Sequence, residues 1–394
     1  MSKELTYWLA LAHVPKIKTK KKNEIIVQLF EQGKTVVDFF ESEYSVWEVK
    51  YQLNKSEVEL FLDAKKELSN YAFMVEDLLE QGYNILPITS QDYSPTLKKN
   101  LGRTYAPPVI YTKGNLQIMK EKSVAIVGSR KANDNSLEFT DNVAKNASKD
   151  YKVVVSGFAK GVDKQALDSA LKYKGQSIIV LPQGITTFQS GFKKYYKQII
   201  DGDILVLSTF YPKAPWSVQF AMARNPIIYG LASEIYVAES SEKGGTWSGV
   251  MDGLRKGRTI YVRKPDPREK NANNILISKG GKAVDIAGNL TTYKIQDELK
   301  LIVSESELNN TEEKIIEFLK TGVFPAKKIV DTLKIDWSSR KVSDFLKNRK
   351  DILTVKGKPL RFAHKNRSIQ KQKTLFDWLS GNWTNHSNLC HSFR

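Results

Sequence analysis

SVAIVGSRKAND, residues 123–134, is the stretch on which the reading of this fold turns. Four apolar residues, Val124, Ala125, Ile126 and Val127, run straight into Gly128, Ser129 and Arg130, and polar residues able to open a helix follow. A short apolar run that stops at glycine reads as a buried strand. Strand, tight loop and helix together outline a phosphate-binding unit, because a helix N-terminus presents unpaired N–H groups to an anion. Gly128 permits close backbone approach, Ser129 offers a hydroxyl, and Arg130 offers a planar fork that matches phosphate oxygens. The GxGxxG spacing of a dinucleotide site is absent, and so is the lysine of GxxxxGK[ST]. The first absence speaks against a nicotinamide dehydrogenase, the second excludes a P-loop NTPase, and the loop needs partners from elsewhere in the chain.

Those partners come from an alternation that continues downstream. Strand-like runs recur at Val153–Val155, Ser177–Leu181, Ile204–Leu207, Ile235–Ala238 and Thr259–Val262. Helix-length segments lie between them, over about 137–149, 164–173, 190–200, 217–231 and 246–256. Short β-branched strands joined by helices predict an α/β fold with a Rossmann-like, doubly wound parallel sheet. Ligands of such sheets bind beyond the carboxyl ends of the strands. Three loops then share one edge: Gly128–Arg130, Ser156–Gly161 and Glu239–Thr246. The second supplies Ser156, Gly157, Lys160 and Gly161, and the third supplies Lys243, Gly244 and Gly245. Each is weak alone, but three anion-compatible loops on one edge predict an anion site. Asp163 and Glu239 could be imagined as an acid/base pair. Capping is the commoner use of such residues, so Asp163 is read as a helix N-cap and Glu239 as a strand-end acceptor. His13, His364, His386 and His391 lie toward the two ends of the sequence, and none is expected near the sheet. The site is built to bind; no catalytic residue, metal or other cofactor is expected.

Around this core, residues 1–82 read as a helical N-terminal domain. Helical periodicity is clear at EIIVQLFE and VELFLDAKKEL, helix stops fall at Gly33 and Gly82, and a lysine cluster from Lys16 to Lys22 separates the first two helices. The core itself is expected over 83–290 and a polar linker over 291–310. Three short helical patterns and a strand pair over 311–363 predict a winged helix-turn-helix whose third helix presents Arg340, Lys341, Lys347 and Arg349. The remaining residues, 364–394, read as a flexible basic tail. The 394-residue chain carries 61 Lys+Arg against 43 Asp+Glu, a net charge of +18. From Thr311 onward 18 basic residues face 8 acidic ones, so ten of those charges sit in the last 84 residues. Clustered positive charge favours polyanions through counterion release, which makes nucleic acid the leading partner class. A single cysteine, Cys390, allows no internal disulfide, and no apolar run approaches the ~20 residues of a membrane span. A reducing cytoplasm fits both observations.

Four ordered motifs carry a resemblance: GSR at 128–130, SGFAKGVDKQAL at 156–167, ARNPIIYGLAS at 223–233 and VAESSEKGGTW at 237–247. Together they resemble the DprA/Smf family, and DYSPTL, PPVIY and KG upstream fit the family's approach to its Rossmann-like domain. The resemblance implies a protein that binds and protects single-stranded DNA and loads a RecA-type recombinase, usually as a homodimer. By motif match, Gly128, Ser129, Arg130, Gly157, Lys160 and Gly161 would line the DNA pocket, with Arg224 and Asn225 in support. The chain departs from the pattern at Lys160, where arginine is usual, and at Pro226, where another arginine is expected. Ser208–Thr209 replaces a typical Ser-Glu, the tyrosine-proline after the Gly184–Ile185 turn is missing, and HVPKIKTKKK stands in place of a glycine turn. A nucleotide-ligand sensor of the same superfamily, serving for example phage defence, and a phosphoribohydrolase-like enzyme are the alternatives. GGTWSGVMDG lacks the glutamate that such an enzyme places after this loop. Trp216 and Trp247 are candidates for base stacking, with Phe210 and Tyr211 uncommitted. In the tail, QKTLFDWL places Gln372, Leu375, Phe376, Trp378 and Leu379 in the pattern of a sliding-clamp peptide, making a clamp a further candidate partner.

Overall fold

The computed structural model describes residues 2–291 and 311–365, except 356 and 358. They fall into two compact units, Met1–Thr292 and Tyr293–Arg394.

The first unit opens with six helices: α1 (Ser2–His13), α2 (Thr19–Glu31), α3 (Val36–Glu41), α4 (Tyr44–Lys50), α5 (Lys55–Lys66) and α6 (Leu68–Glu80). Reciprocal capping boxes start α3 and α5, Thr35 with Asp38 and Asn54 with Glu57, which satisfies N–H groups that the helix cannot. Phe39, Phe40, Trp47 and Phe61 meet at the centre of the bundle, with Phe39 stacked on Trp47 at 5.0 Å between ring centroids. The same buried cluster runs on into Tyr111, Ile179 and Val206 of the sheet, so helices and sheet share one core. The lysine cluster does not stay between α1 and α2: α2 begins at Thr19 and takes Lys20, Lys21 and Lys22 into its first turn.

The sheet has nine strands: β1 (Asn84–Pro87), β2 (Val109–Lys113), β3 (Ser123–Val127), β4 (Val153–Ser156), β5 (Ser177–Val180), β6 (Ile204–Ser208), β7 (Glu234–Val237), β8 (Ile260–Arg263) and β9 (Lys282–Val284). Their order is β1-β2-β6-β5-β4-β3-β7-β8-β9. Strands β3 to β9 pair in parallel, and β2 and β1 continue the β6 edge antiparallel. All six strand candidates are present; β1, β2 and β9 extend the sheet beyond them.

The helices joining these strands are α7 (Pro95–Tyr105), α8 (Asp134–Lys149), α9 (Val162–Lys172), α10 (Gln189–Lys194), α11 (Tyr196–Ile200), α12 (Val218–Ala223), α13 (Asn225–Leu231), α14 (Gly245–Arg255) and α15 (Asn273–Ser278). Val124 and Ile126 of β3 pack with Phe139 and Val143 of α8 and Ala166 of α9. Successive strand residues face opposite ways, which leaves the other face for α13, packed on β3 and β4. A strand covered on both faces must be apolar throughout, hence the unbroken Val124–Val127 run. Two expected helices are each divided in two: 190–200 into α10 and α11, and 217–231 into α12 and α13, which meet at Arg224. One histidine does reach the sheet, contrary to expectation: His13 Nε2 lies 2.6 Å from the Tyr111 hydroxyl of β2. Burial holds its imidazole down to about 3, so it packs as a neutral ring.

In the second unit, α16 (residues 311–320), α17 (Ala326–Leu333) and α18 (Ser339–Lys347) enclose Ile315, Ile329, Val342 and Leu346. A three-stranded antiparallel sheet, β10 (Phe324–Pro325), β11 (Ile352–Val355) and β12 (Arg361–His364), pairs in the order β10-β12-β11. The tail residues Gln372, Leu375, Phe376, Trp378 and Leu379 lie outside the described residues.

Candidate functional site

Strands β4, β5 and β6 fan out on one side of β3, and β7, β8 and β9 on the other. Loops leaving β3 and β7 therefore diverge, and a crevice opens at their carboxyl ends, the switch point of such a sheet. The cleft there measures ≈ 430 Å³, and its walls include Gly128, Ser129, Arg130, Arg224, Asn225, Lys243, Gly244 and Gly245. The three loops meet as the sequence predicts, but the β4 loop plays a different part. Ser156 and Gly157 are buried, Gly161 is wedged behind the first loop, and Lys160 is exposed; none of the four is on the cleft wall. Gly157 and Gly161 serve to hold the others in place.

Two glycines explain how. A Cβ at Gly157 would collide with the guanidinium of Arg224, so only glycine lets that side chain lie against the end of β4. Gly161 has φ +74° and would drive a Cβ into the carbonyls of Ser129 and Arg130. The Val162 N–H then donates to the Ser129 carbonyl at 3.2 Å, fixing the first loop to the start of α9. From the other side, the Thr246 hydroxyl donates to the Gly128 carbonyl at 3.1 Å. Asn225 fills the space that a side chain at Gly245 would need.

Arg224 sits at the centre of the arrangement and is 3% exposed. Its Nη2 is 3.4 Å from Asp163 Oδ2, its Nη1 donates to the Val180 carbonyl at 3.5 Å, and its buried Nε has no partner. Charge-assisted bonds of arginine normally close to about 2.7–2.9 Å, so this cation is under-satisfied. Burial pushes the Asp163 carboxyl up while the Arg224 guanidinium opposes the shift. Asp163 is not the N-cap of α9; Gly161 holds that position, and the Asp163 carboxylate accepts from the Ala159 N–H at 3.3 Å. Glu239 accepts from the Asn133 N–H at 3.2 Å and the Ser136 hydroxyl at 2.9 Å. Both carboxylates thus have structural partners.

The rim carries Arg130, Lys131 and Lys243, all exposed. At the opposite wall sequence reasoning singled out Trp216 but missed its neighbours Val218 and Met222. There α12 places Val218 and Met222 one turn apart, 62% and 44% exposed, with Trp216 just before it at 53%. The Asn225-Pro226 dipeptide, a helix breaker, was the available signal for the α12–α13 break that aims this wall. Also missed was a support beneath the first loop, where Arg263 forks onto Glu269 at 2.9 and 2.5 Å and Glu269 accepts from Asn133 and Asn135. In the second unit Arg340, Lys341 and Lys347 are exposed on α18, with Lys341 over the Trp337 ring at 4.2 Å. Arg349 lies beyond the end of α18 rather than on it, held by Asp351 through two bonds of 2.9 Å.

The family model described as DNA recombination-mediator protein A matches residues 84–294, which contain the whole cleft. The chain belongs to that family. The "DNA processing protein DprA" of Streptococcus pneumoniae is 34% identical over 158 residues, 40% of this chain and 55% of that protein. Its counterpart in Bacillus subtilis is 30% identical over 213 residues, 52% of this chain and 69% of that protein. The match thus spans little more than half the length of the pneumococcal relative. An X-ray structure of the pneumococcal DNA processing protein A has a TM-score of 0.59 at 23% identity, covering 74% of this chain and 99% of that one, a likeness of fold. Among the described residues, no group of His, Cys, Asp and Glu could hold a metal ion, and no helix is long and apolar enough to cross a membrane.

Proposed function

We propose that this protein is a recombination mediator that holds single-stranded DNA in the switch-point cleft. The observation that carries the reading is Arg224, a buried and under-satisfied guanidinium at the wall of a cleft rimmed by Arg130, Lys131 and Lys243. A phosphate reaching this cleft would meet those cations and the N–H groups at the start of α14. Bases would meet Trp216, Val218 and Met222, an exposed apolar wall. Base–aromatic stacking contributes about 1–3 kcal/mol per base and needs no particular sequence. A duplex keeps its bases stacked on one another, so the apolar wall favours a single strand. The reading is one of binding rather than catalysis.

In this account the bound strand is protected and passed to a RecA-type recombinase in the cytoplasm, by a homodimer. The three helices and three-stranded sheet of the second unit support a winged helix, with Arg340, Lys341 and Lys347 of α18 turned to nucleic acid. Gln372, Leu375, Phe376, Trp378 and Leu379 would dock the tail on a sliding clamp; deletion of 370–380 with clamp retention unchanged would remove that element. Single-strand binding is tested by titrating labelled oligo-dT, with mononucleotides as competitors. Competition by a mononucleotide at stoichiometric concentration would instead favour a nucleotide-ligand sensor using the same cleft.

A further inference from the structure

A second cleft, of ≈ 470 Å³, opens where the helical segment meets the sheet, and it shares no wall residue with the first. Thr19 and Lys22 of α2 form one side, and Tyr105, Phe210, Ile227 and Lys256 are among the residues of the other. Most of the lining is apolar, with a few polar groups, the usual composition of a small-molecule site.

Lys22 is the anomaly. It is 7% exposed, and its ammonium donates one hydrogen bond, to the Ala12 carbonyl at 2.6 Å. No carboxylate pairs with it among the described residues. An ammonium has three donors, and a charge buried without a counter-charge is costly. The surroundings make matters worse. Lys20 and Lys21 share the first turn of α2, Lys18 at its N-cap makes no side-chain cap, and no acidic residue stands there. Cations at a helix N-terminus oppose its dipole. His13, on the same wall, is held neutral by burial. Asp252 is the one acid of the lining, and Lys256 at 2.7 Å and Arg255 at 3.4 Å already share it. One negative charge is missing from this cleft, and the apolar walls leave room for a body attached to it.

We propose that the cleft binds a small organic anion, its apolar body against Tyr105, Phe210 and Ile227 and its carboxylate, sulfonate or phosphate on Lys22. The site is independent of the DNA reading, since it neither uses the switch-point residues nor needs them occupied.

The probe pair is 8-anilinonaphthalene-1-sulfonate and the neutral N-phenyl-1-naphthylamine, which keeps the aromatic body and drops the charge. Both are titrated by fluorescence into the full chain, into Lys22→Met and into Thr19→Glu. The second variant adds an acid where the helix dipole welcomes one, and so keeps the test open should Lys22→Met fail to fold. The expected result is saturable binding of one sulfonate, about tenfold or more weaker in each variant. Affinity for the neutral dye should not change, and Arg130→Ala should bind both dyes as wild type does. Sulfonate binding that is absent from the wild type, or equal in all proteins, overturns the proposal.

Discussion

A glycine and an arginine define the site at the scale of single residues. Because Gly157 makes space for the Arg224 guanidinium, Gly157→Ala is expected to destabilise the fold by about 1–3 kcal/mol through overpacking, measured by urea unfolding. The same substitution should weaken single-strand binding, since Arg224 can no longer rest against β4. Lys22 gives a prediction in pH. Burial lowers its ammonium to about 8, below its unfolded value, so folding is penalised below pH 8 and the penalty is relieved as pH rises toward about 10.4. Lys22→Met should therefore melt above the wild type at pH 7, with the gap closing by about pH 10; a gap independent of pH would contradict this. Much of the switch-point site was legible at this scale. Gly128, Ser129, Arg130 and the Gly244–Gly245 pair announce close backbone approach by composition alone. Asp163 was not legible, because a carboxylate two residues into a helix resembles a cap, and only the fold brings Arg224 to it.

Among the elements, the sequence signal is strong where a strand is covered on both faces and weak where pairing is distant. The apolar runs of β3 to β8 are self-evident for that reason. Strand β2 joins the sheet through antiparallel pairing with β6, almost a hundred residues away in sequence, β1 follows only by pairing with β2, and the three residues of β9 are too few to show a period. The irregular segment between β8 and α15 hides Glu269, whose bonds from Arg263, Asn133 and Asn135 tie it to the start of α8. Hydrogen bonding from Arg263 holds this carboxyl far below its ordinary range. Its contribution is then complete above the unfolded value of about 4.3 and is lost as pH falls below it. Glu269→Gln should cost about 1.5–3 kcal/mol at pH 7, and the difference in melting temperature from wild type should shrink below about pH 4. Just before α12, Trp216→Ala should leave stability within about 0.5 kcal/mol, as for an exposed residue, yet weaken oligo-dT binding by about 1–3 kcal/mol.

The whole molecule divides its positive charge between two units, and the proposed function assigns a different kind of binding to each. The second unit carries exposed Arg340, Lys341 and Lys347 on α18. A fragment ending at residue 292 should keep its preference for single strands while losing duplex affinity and part of its salt dependence, as each lost phosphate contact removes about one from the slope. The central claim is that DNA lies in the switch-point cleft, and one measurement tests it most directly. Fluorescence anisotropy with labelled oligo-dT and a matched duplex would be followed across a salt series, for wild type and for Arg130→Ala/Lys243→Ala, two cations of the cleft rim. The account predicts tight, salt-steep binding of the single strand that is lost in the double variant. Binding that survives both substitutions, or that favours the duplex, would contradict it.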